Sequence, residues 1–543
     1  MLRPSFTRLA PLIGLAGLVG ACSAAPAPTS EASDQASTIK AGTAPAAWDR
    51  AVTRPASEDQ AEQMRRSCTF KRGAMPAETT GAEVKVDKQL PIKTIVVLMQ
   101  ENRSFDSYFG HLAKYAKSIG LDLDIESPPE DISNPENVDD PNSPTHPWQH
   151  AKNLCISDTN HEWYGSHLEY NDGKMNGFFQ ANQGFREEGQ PTVSDDLVSG
   201  ERSLWWYDER DIPFYYKLAT TFAIGDHYHS SLIGPTWPNR DYLYAATSLG
   251  VTTNVNPGCG GTPSALCGQD ALNKRDVVIF DELTRRNIEW RIYVDGFLTA
   301  PRLGAFLTPG QLASRWPKDT ILGIPTVTHY KPMSEFFDRA KAGKLPPVVF
   351  LDANINEDAE GNDEHPPGDI QKGQQFTSKI IQAMFDSPQW KESVLFLTYD
   401  EHGGIFDHVA PPEACPPDDV APDFRTDEDK AFNAKTPGTT FDRYGFRVPV
   451  VVVSPFAKKS YVSHHVYDHT SITRFIETVF KLPALTNRDA NADPMTDFFD
   501  FDQPAFMTPP RIPAPTVDQA GLDECRSLYP KPPPPTNDNA GGN

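Results

Sequence analysis

An α/β fold, with a mostly parallel central sheet flanked by helices on both faces, is predicted by two observations. Four apolar runs of strand length, at residues 95–99, 346–352, 394–397 and 447–455, are too continuous for strands exposed on one face. Helical patterns separate them, so crossovers keep the strands parallel and gather their polar carboxyl ends on one rim. Open α/β sheets place their ligands at that rim.

The first run, Ile95 to Met99, stops abruptly at Gln100, Glu101, Asn102 and Arg103, a polar cluster with oxygen donors suited to a metal. The same residues also fit the charged first turn of an amphipathic helix. Residues 230–248, SSLIGPTWPNRDYLYAATS, come next: Gly234 and Pro235 force a turn, Thr236 follows, and Trp237 to Arg240 open a helix. A hydroxyl at a helix amino terminus can present an oxygen nucleophile to a phosphate, because free backbone N–H groups favour the anion. Thr before a helix is also a common N-cap, and both readings stand on the local sequence. The run at 346–352 leads into DEHPP, and the run at 394–397 ends on Asp400 and Glu401, adjacent carboxylates that repel unless a cation or a proton compensates them. Asp226, His227 and His229 precede the Thr236 loop; Asp407–His408 and Asp468–His469 form two further Asp-His pairs near rim loops.

Taken together, ENRSFDSYFG (101–110), NDGKMNGF (171–178), GPTWPNR (234–240), DEHPP (363–367), YDEHGGIFDHVAPP (399–412), YGFRVPVVVVSP (444–455) and YDHTSITRFIE (467–477) resemble the bacterial phosphoesterase family of acid phosphatases and phospholipases C, within the alkaline phosphatase-like superfamily. The resemblance implies that Glu101 and Asn102 are one pair of metal ligands and Asp400 and Glu401 the other. It implies Thr236 as nucleophile and His365 as an active-site histidine serving the leaving group or a phosphate oxygen. His161 is the other implied catalytic residue, with His167 as its competitor. Asn239 and His227 are the expected substrate contacts. Three carboxylates and an amide carbonyl are hard donors, so the expected cofactor is one divalent ion, Mg, Ca or Mn.

The chain has 543 residues, which is long for one small domain, yet the motifs must converge on one sheet. One catalytic domain is therefore expected over residues 48–528, with loops at 120–146 and 254–273 laid over the rim. The formal net charge of -23 argues against nucleic acid or an anionic membrane surface as partner, while a local cation still permits an anionic small substrate. At the amino terminus, Arg3 and Arg8 precede an apolar stretch, and LVGAC ending at Cys22 resembles a bacterial lipobox. An ordinary signal cleaved near Ala24 or Ala25 is the alternative. Residues 1–22 are thus read as a signal peptide with a lipidated Cys22, 23–47 as a flexible tether and 529–543 as a disordered tail, giving an exported protein, periplasmic or anchored in the outer membrane. Six further cysteines suit an oxidising compartment, with Cys259–Cys267 the expected pair. The leading function is an exported, acid phosphatase-like phosphate-ester hydrolase, because the chain ends soon after its catalytic motifs. The alternative is a phospholipase C-type diesterase, so the substrate is a small phosphate ester or a phospholipid.

Overall fold

The computed structural model describes residues 39–186, 193–254, 278–295, 319–321, 324–326, 329–354, 359–436 and 438–530. Its main sheet contains β1 (Thr94–Gln100), β2 (Ala223–Gly225), β3 (Trp290–Val294), β4 (Tyr330–Pro332), β5 (Val348–Asp352), β6 (Ser393–Tyr399), β7 (Val450–Val453) and β8 (Tyr461–Ser463), in the spatial order β4-β3-β5-β1-β6-β7-β2-β8. Every residue of β1 and β6 is buried, as the unbroken apolar runs require. The two strands pair in parallel with Val97 beside Phe396, and β5 flanks β1 on the other side with Phe350 beside Val97.

That register puts Phe350, Val97 and Phe396 on one face. Helix packing covers both sides. Of the helices, α1 (Phe105–Phe109), α2 (Trp163–Tyr170), α3 (Pro213–Thr221), α4 (Thr236–Ala245), α5 (Ile370–Asp386), α6 (His469–Phe480) and α7 (Gln519–Leu528) matter here. Tyr244 of α4 packs edge-on to Phe350 at 5.4 Å and Phe475 of α6 to Phe396 at 5.1 Å. On the opposite face Tyr399 meets Tyr108 of α1 at 5.6 Å, and Tyr215 of α3 lies against the same ring. Such rings bury large areas in offset or edge-on contacts that fix helix against sheet.

One strand departs from the expected direction. β7 runs antiparallel to both β6 and β2, so its amino-terminal flank reaches the ligand rim. Arg447 sits there, wholly buried, with Nη2 at 2.7 Å from Asp106 Oδ1 and Nε at 2.9 Å from Asp407 Oδ1. A run of four valines carries no mark of its direction.

The domain also reaches further at both ends than residues 48–528. Ile39 is buried, and the Gly42 and Ala44 amides donate to Thr284 and Arg285 carbonyls, so the expected tether is already packed from Ile39. Tyr529 is buried as well, its amide bonded to Cys525 O, so it packs with the domain although it falls in the expected tail. Two disulfides, Cys68–Cys415 and Cys155–Cys525, close spans of 347 and 370 residues. The expected Cys259–Cys267 pair, Cys22 with the signal segment, and most of the 254–273 loop lie outside the described residues. Among the described residues no helix is long and apolar enough to cross a membrane.

Candidate functional site

Four segments are stitched together at the rim. The Glu101 amide donates to Asp363 O at 2.8 Å, the Asn102 amide to Asp400 Oδ1 at 3.0 Å and the Arg103 amide to Glu401 O at 3.1 Å. Arg103 Nη2 adds a bond to Glu364 O at 2.6 Å. Asn102 takes a left-handed φ of 58°, which Asn tolerates better than most residues and which turns the chain sharply off β1. Thr159 Oγ1 bonds to Gly403 O, drawing in the segment that bears His161. Glu101, Asn102, Asp400 and Glu401 therefore meet where β1 and β6 end.

Their side chains are buried and only partly satisfied. Asn102 Oδ1 and Nδ2, Asp400 Oδ2 and Glu401 Oε1 are buried with no hydrogen-bond partner among the described residues. Orphaned oxygens of this kind cost stability unless something else binds them. Their hard-donor chemistry fits a divalent cation. Arg240 of α4 supplies the counter-charge: Nη2 lies 2.6 Å from Glu101 Oε1, Nη1 3.4 Å from Asp352 Oδ1 and Nε 3.7 Å from Asp400 Oδ2. Burial and then the neighbouring Glu101 push the Asp400 carboxyl up to about 7, against the pull of Arg240. Burial also raises Glu401 well above the ordinary carboxylate range, eased by the nearby His161.

Thr236 is the first residue of α4, and the N-cap is Pro235, so the N-cap reading of this threonine does not hold. Thr236 and Arg240 are four residues apart on one helix face, so Thr236 stands one turn before the residue that reaches the carboxylates. The loop ahead of it is held by Asn239. Its Oδ1 accepts from the Ser231 and Leu232 amides at 2.8 and 3.0 Å, and its Nδ2 donates to Gly234 O and Pro235 O at 2.9 and 3.1 Å. Four bonds exhaust a carboxamide. Asn239 thus shapes the loop ahead of Thr236, with all four carboxamide bonds spent there rather than on the expected substrate contact.

His161 and His365 do come together, with ring centroids 5.7 Å apart, and Asp158 joins them as a group compact enough to hold an ion. His161 Nδ1 donates to Thr159 O at 2.8 Å and His365 Nδ1 to Pro366 O at 2.5 Å. A carbonyl only accepts, so in each ring the exchangeable position is Nε2. His167 is elsewhere: its Nδ1 donates to Trp163 O at 2.7 Å, and burial lowers its pKa to about 4. His227 pairs with Glu126 at 2.7 Å and neighbours His229 rather than any of the residues above. His408 hydrogen-bonds Asp106 at 2.6 Å within the Arg447 network. His469 donates from Nε2 to Asp400 O at 2.6 Å and supports the strand end from behind.

Three participants carry no role in the sequence reading. Arg240 was visible inside GPTWPNR but reads there as an ordinary helix residue, and Asp352 ends its strand as any solvated carboxylate might. Glu364 is fixed by the Tyr108 hydroxyl at 2.6 Å, the Tyr399 hydroxyl at 2.8 Å and the Tyr215 hydroxyl, tying the DEHPP segment to α1, α3 and β6.

The site thus joins a buried acidic cluster at two strand ends to the helix that starts at Thr236, through Arg240. The chain matches the phosphoesterase family over residues 92–483. It is 30% identical to non-specific phospholipase C1 of Arabidopsis thaliana, across 82% of this chain and 76% of that protein. It is also 30% identical to phospholipase C A of Mycobacterium tuberculosis, across 78% of this chain and 80% of that protein. Among solved structures, a protein of the alkaline phosphatase superfamily from Vibrio parahaemolyticus is similar with a TM-score of 0.28 and 10% identity, over 71% of this chain and 77% of that one. The chain belongs to the phosphoesterase family and is a hydrolase acting on phosphoric ester bonds.

Proposed function

We propose that this enzyme is a phospholipase C-type hydrolase that cleaves phosphodiesters through Thr236. The observation that carries the mechanism is the Thr236 position at the first turn of α4, one turn from Arg240 and its carboxylates. The relatives named as phospholipases C support the substrate class.

Thr236 Oγ1, its hydroxyl proton passed to solvent, attacks phosphorus and forms a phosphothreonine ester as the bond to the leaving oxygen breaks. The Thr236 amide at the start of α4 and the Arg240 guanidinium stabilise charge on the phosphate oxygens. His365 Nε2 delivers a proton to the leaving oxygen, and His161 Nε2 stands beside it for the second step, in which water opens the ester and restores the threonine hydroxyl. Glu101, Asn102, Asp400 and Glu401 would hold the divalent ion, which when bound neutralises phosphate charge and lowers the pKa of the hydroxyl. Residue by residue, the chain's own part is to bury these donors and exclude water from them.

Export with lipidation at Cys22 belongs to the same proposal, supported by the lipobox-like LVGAC and by two disulfides that suit an oxidising compartment. Loss of radiolabelled palmitate from Cys22→Ala checks the anchor. For the chemistry, p-nitrophenyl phosphate, p-nitrophenyl phosphorylcholine and phosphatidylcholine are assayed side by side with and without chelator. Turnover of the two cholines supports the diesterase; turnover of the monoester alone returns the enzyme to the acid phosphatase reading. Thr236→Val removes the hydroxyl at constant size and abolishes turnover, and a folded variant that keeps its rate overturns the nucleophile.

A further inference from the structure

Behind Glu401 runs a buried chain of side chains that the chemistry above does not use. His402 Nδ1 lies 3.3 Å from Glu401 Oε2, and His402 Nε2 lies 2.7 Å from Glu169 Oε2. The other Glu169 oxygen accepts from Asn182 Nδ2 at 2.8 Å, and the same nitrogen donates to Phe178 O at 2.9 Å and Gly404 O at 3.2 Å. The imidazole is stacked on Phe446 with centroids 3.9 Å apart and 25° between planes, a contact that favours this ring orientation. Glu169, Asn182, His402 and Glu401 are all buried.

The geometry divides the two oxygens of Glu401. Oε2 accepts from the Gly403 amide at 2.6 Å and faces His402, whereas Oε1 has no hydrogen-bond partner among the described residues. A carboxylate gripped by one oxygen leaves the other buried at the strand end with its lone pairs unused. Glu169 comes from α2, the helix that follows His161, so the same link joins the two sides of the site across 233 residues of sequence.

Resting on the reading of Glu401 as a cation ligand, we propose that Glu169 and His402 are positioning residues: they hold the Glu401 carboxylate with Oε1 turned toward the cation. Buried polar groups behind metal ligands commonly contribute about 10–100-fold in affinity.

The test is titration calorimetry of Mn²⁺ into the chelator-stripped full chain, with thermal unfolding recorded for every variant. Glu169→Gln and His402→Gln weaken Mn²⁺ by about 10–100-fold, and saturating Mn²⁺ restores much of the kcat. His402→Asn, whose amide stands where Nδ1 stands, keeps more of the affinity than His402→Gln. Wild-type affinity in folded Glu169→Gln and His402→Gln, with only the unfolding temperature lowered, overturns the proposal and leaves a structural link. Where Glu169→Gln does not fold, the order of the two His402 variants decides alone. Asp400→Asn is the separate control: undiminished Mn²⁺ binding there defeats the ligand assignment itself, whatever the Glu169 result.

Discussion

The Arg240 guanidinium lies 2.6 Å from Glu101 and is buried with it, and Asp352, Asp400 and the Met99 carbonyl also surround it. Burial works against the cation, but the three carboxylates outweigh that and hold it charged. Removing one member of a buried ion pair costs about 3–5 kcal/mol, because the partner's charge stays behind. Arg240→Met therefore unfolds at markedly lower temperature in chelator. Added Mn²⁺ supplies positive charge to the same carboxylates, so its stabilising shift is larger in Arg240→Met than in wild type. Equal shifts in differential scanning calorimetry would show that Arg240 and the ion do not share these ligands.

Gly403 carries a second constraint on the cluster. Its φ is 67°, and a Cβ placed there would stand 2.6 Å from Asn102 O and 2.7 Å from Asn102 Cβ. Backbone cannot swing aside as a flexible side chain can. Gly403→Ala has to displace Asn102 in addition to the roughly 1–2 kcal/mol that a side chain incurs in the left-handed region. The expected outcome is a lower unfolding temperature together with weaker Mn²⁺ binding by calorimetry. Retention of full Mn²⁺ affinity would place Asn102 outside the ion's shell.

The parts of this arrangement legible in the sequence are those written locally. β1 and β6 are unbroken apolar runs, and Glu101, Asn102, Asp400 and Glu401 follow them directly, so both strand and rim position could be read. β2 and β8 could not, because three residues each, such as Ala223–Gly225, carry no period. Arg240 and Asn239 sit in one motif, yet their work depends on partners 139 residues upstream and 8 residues back, which no spacing rule connects. Glu169 and His402 are the extreme case: each is an ordinary residue until the fold brings them to 2.7 Å.

Away from the site, His465 gives a pH signature. Its hydrogen bond to Asp493 at 3.2 Å raises its pKa to about 9 against the opposing effect of burial. A histidine raised on folding stabilises fully below its unfolded value of about 6.5, and the contribution fades as pH climbs through the folded value. The side chain is 41% exposed, so solvent screens part of the gain. The difference in unfolding temperature between wild type and His465→Gln is accordingly largest below about pH 6.5 and closes as pH rises to about 9. A difference that stays constant across that window would mean the ion pair is not what His465 contributes.

His365 is best questioned through the leaving group. Its Nδ1 proton is committed to Pro366 O, and its ring stands 5.7 Å from His161, so Nε2 is the atom able to hand over a proton. An alkoxide needs that proton in the transition state, whereas p-nitrophenolate departs without it, and a positioned acid contributes about 10²–10⁴-fold. His365→Ala is expected to slow an alkyl phosphate ester by that order and a p-nitrophenyl ester far less, measured as kcat/KM on matched substrates. His365→Gln, which retains a hydrogen-bond donor but cannot transfer a proton, should follow the alanine variant on the alkyl ester. Equal losses on both esters would reject proton transfer and leave His365 binding a phosphate oxygen.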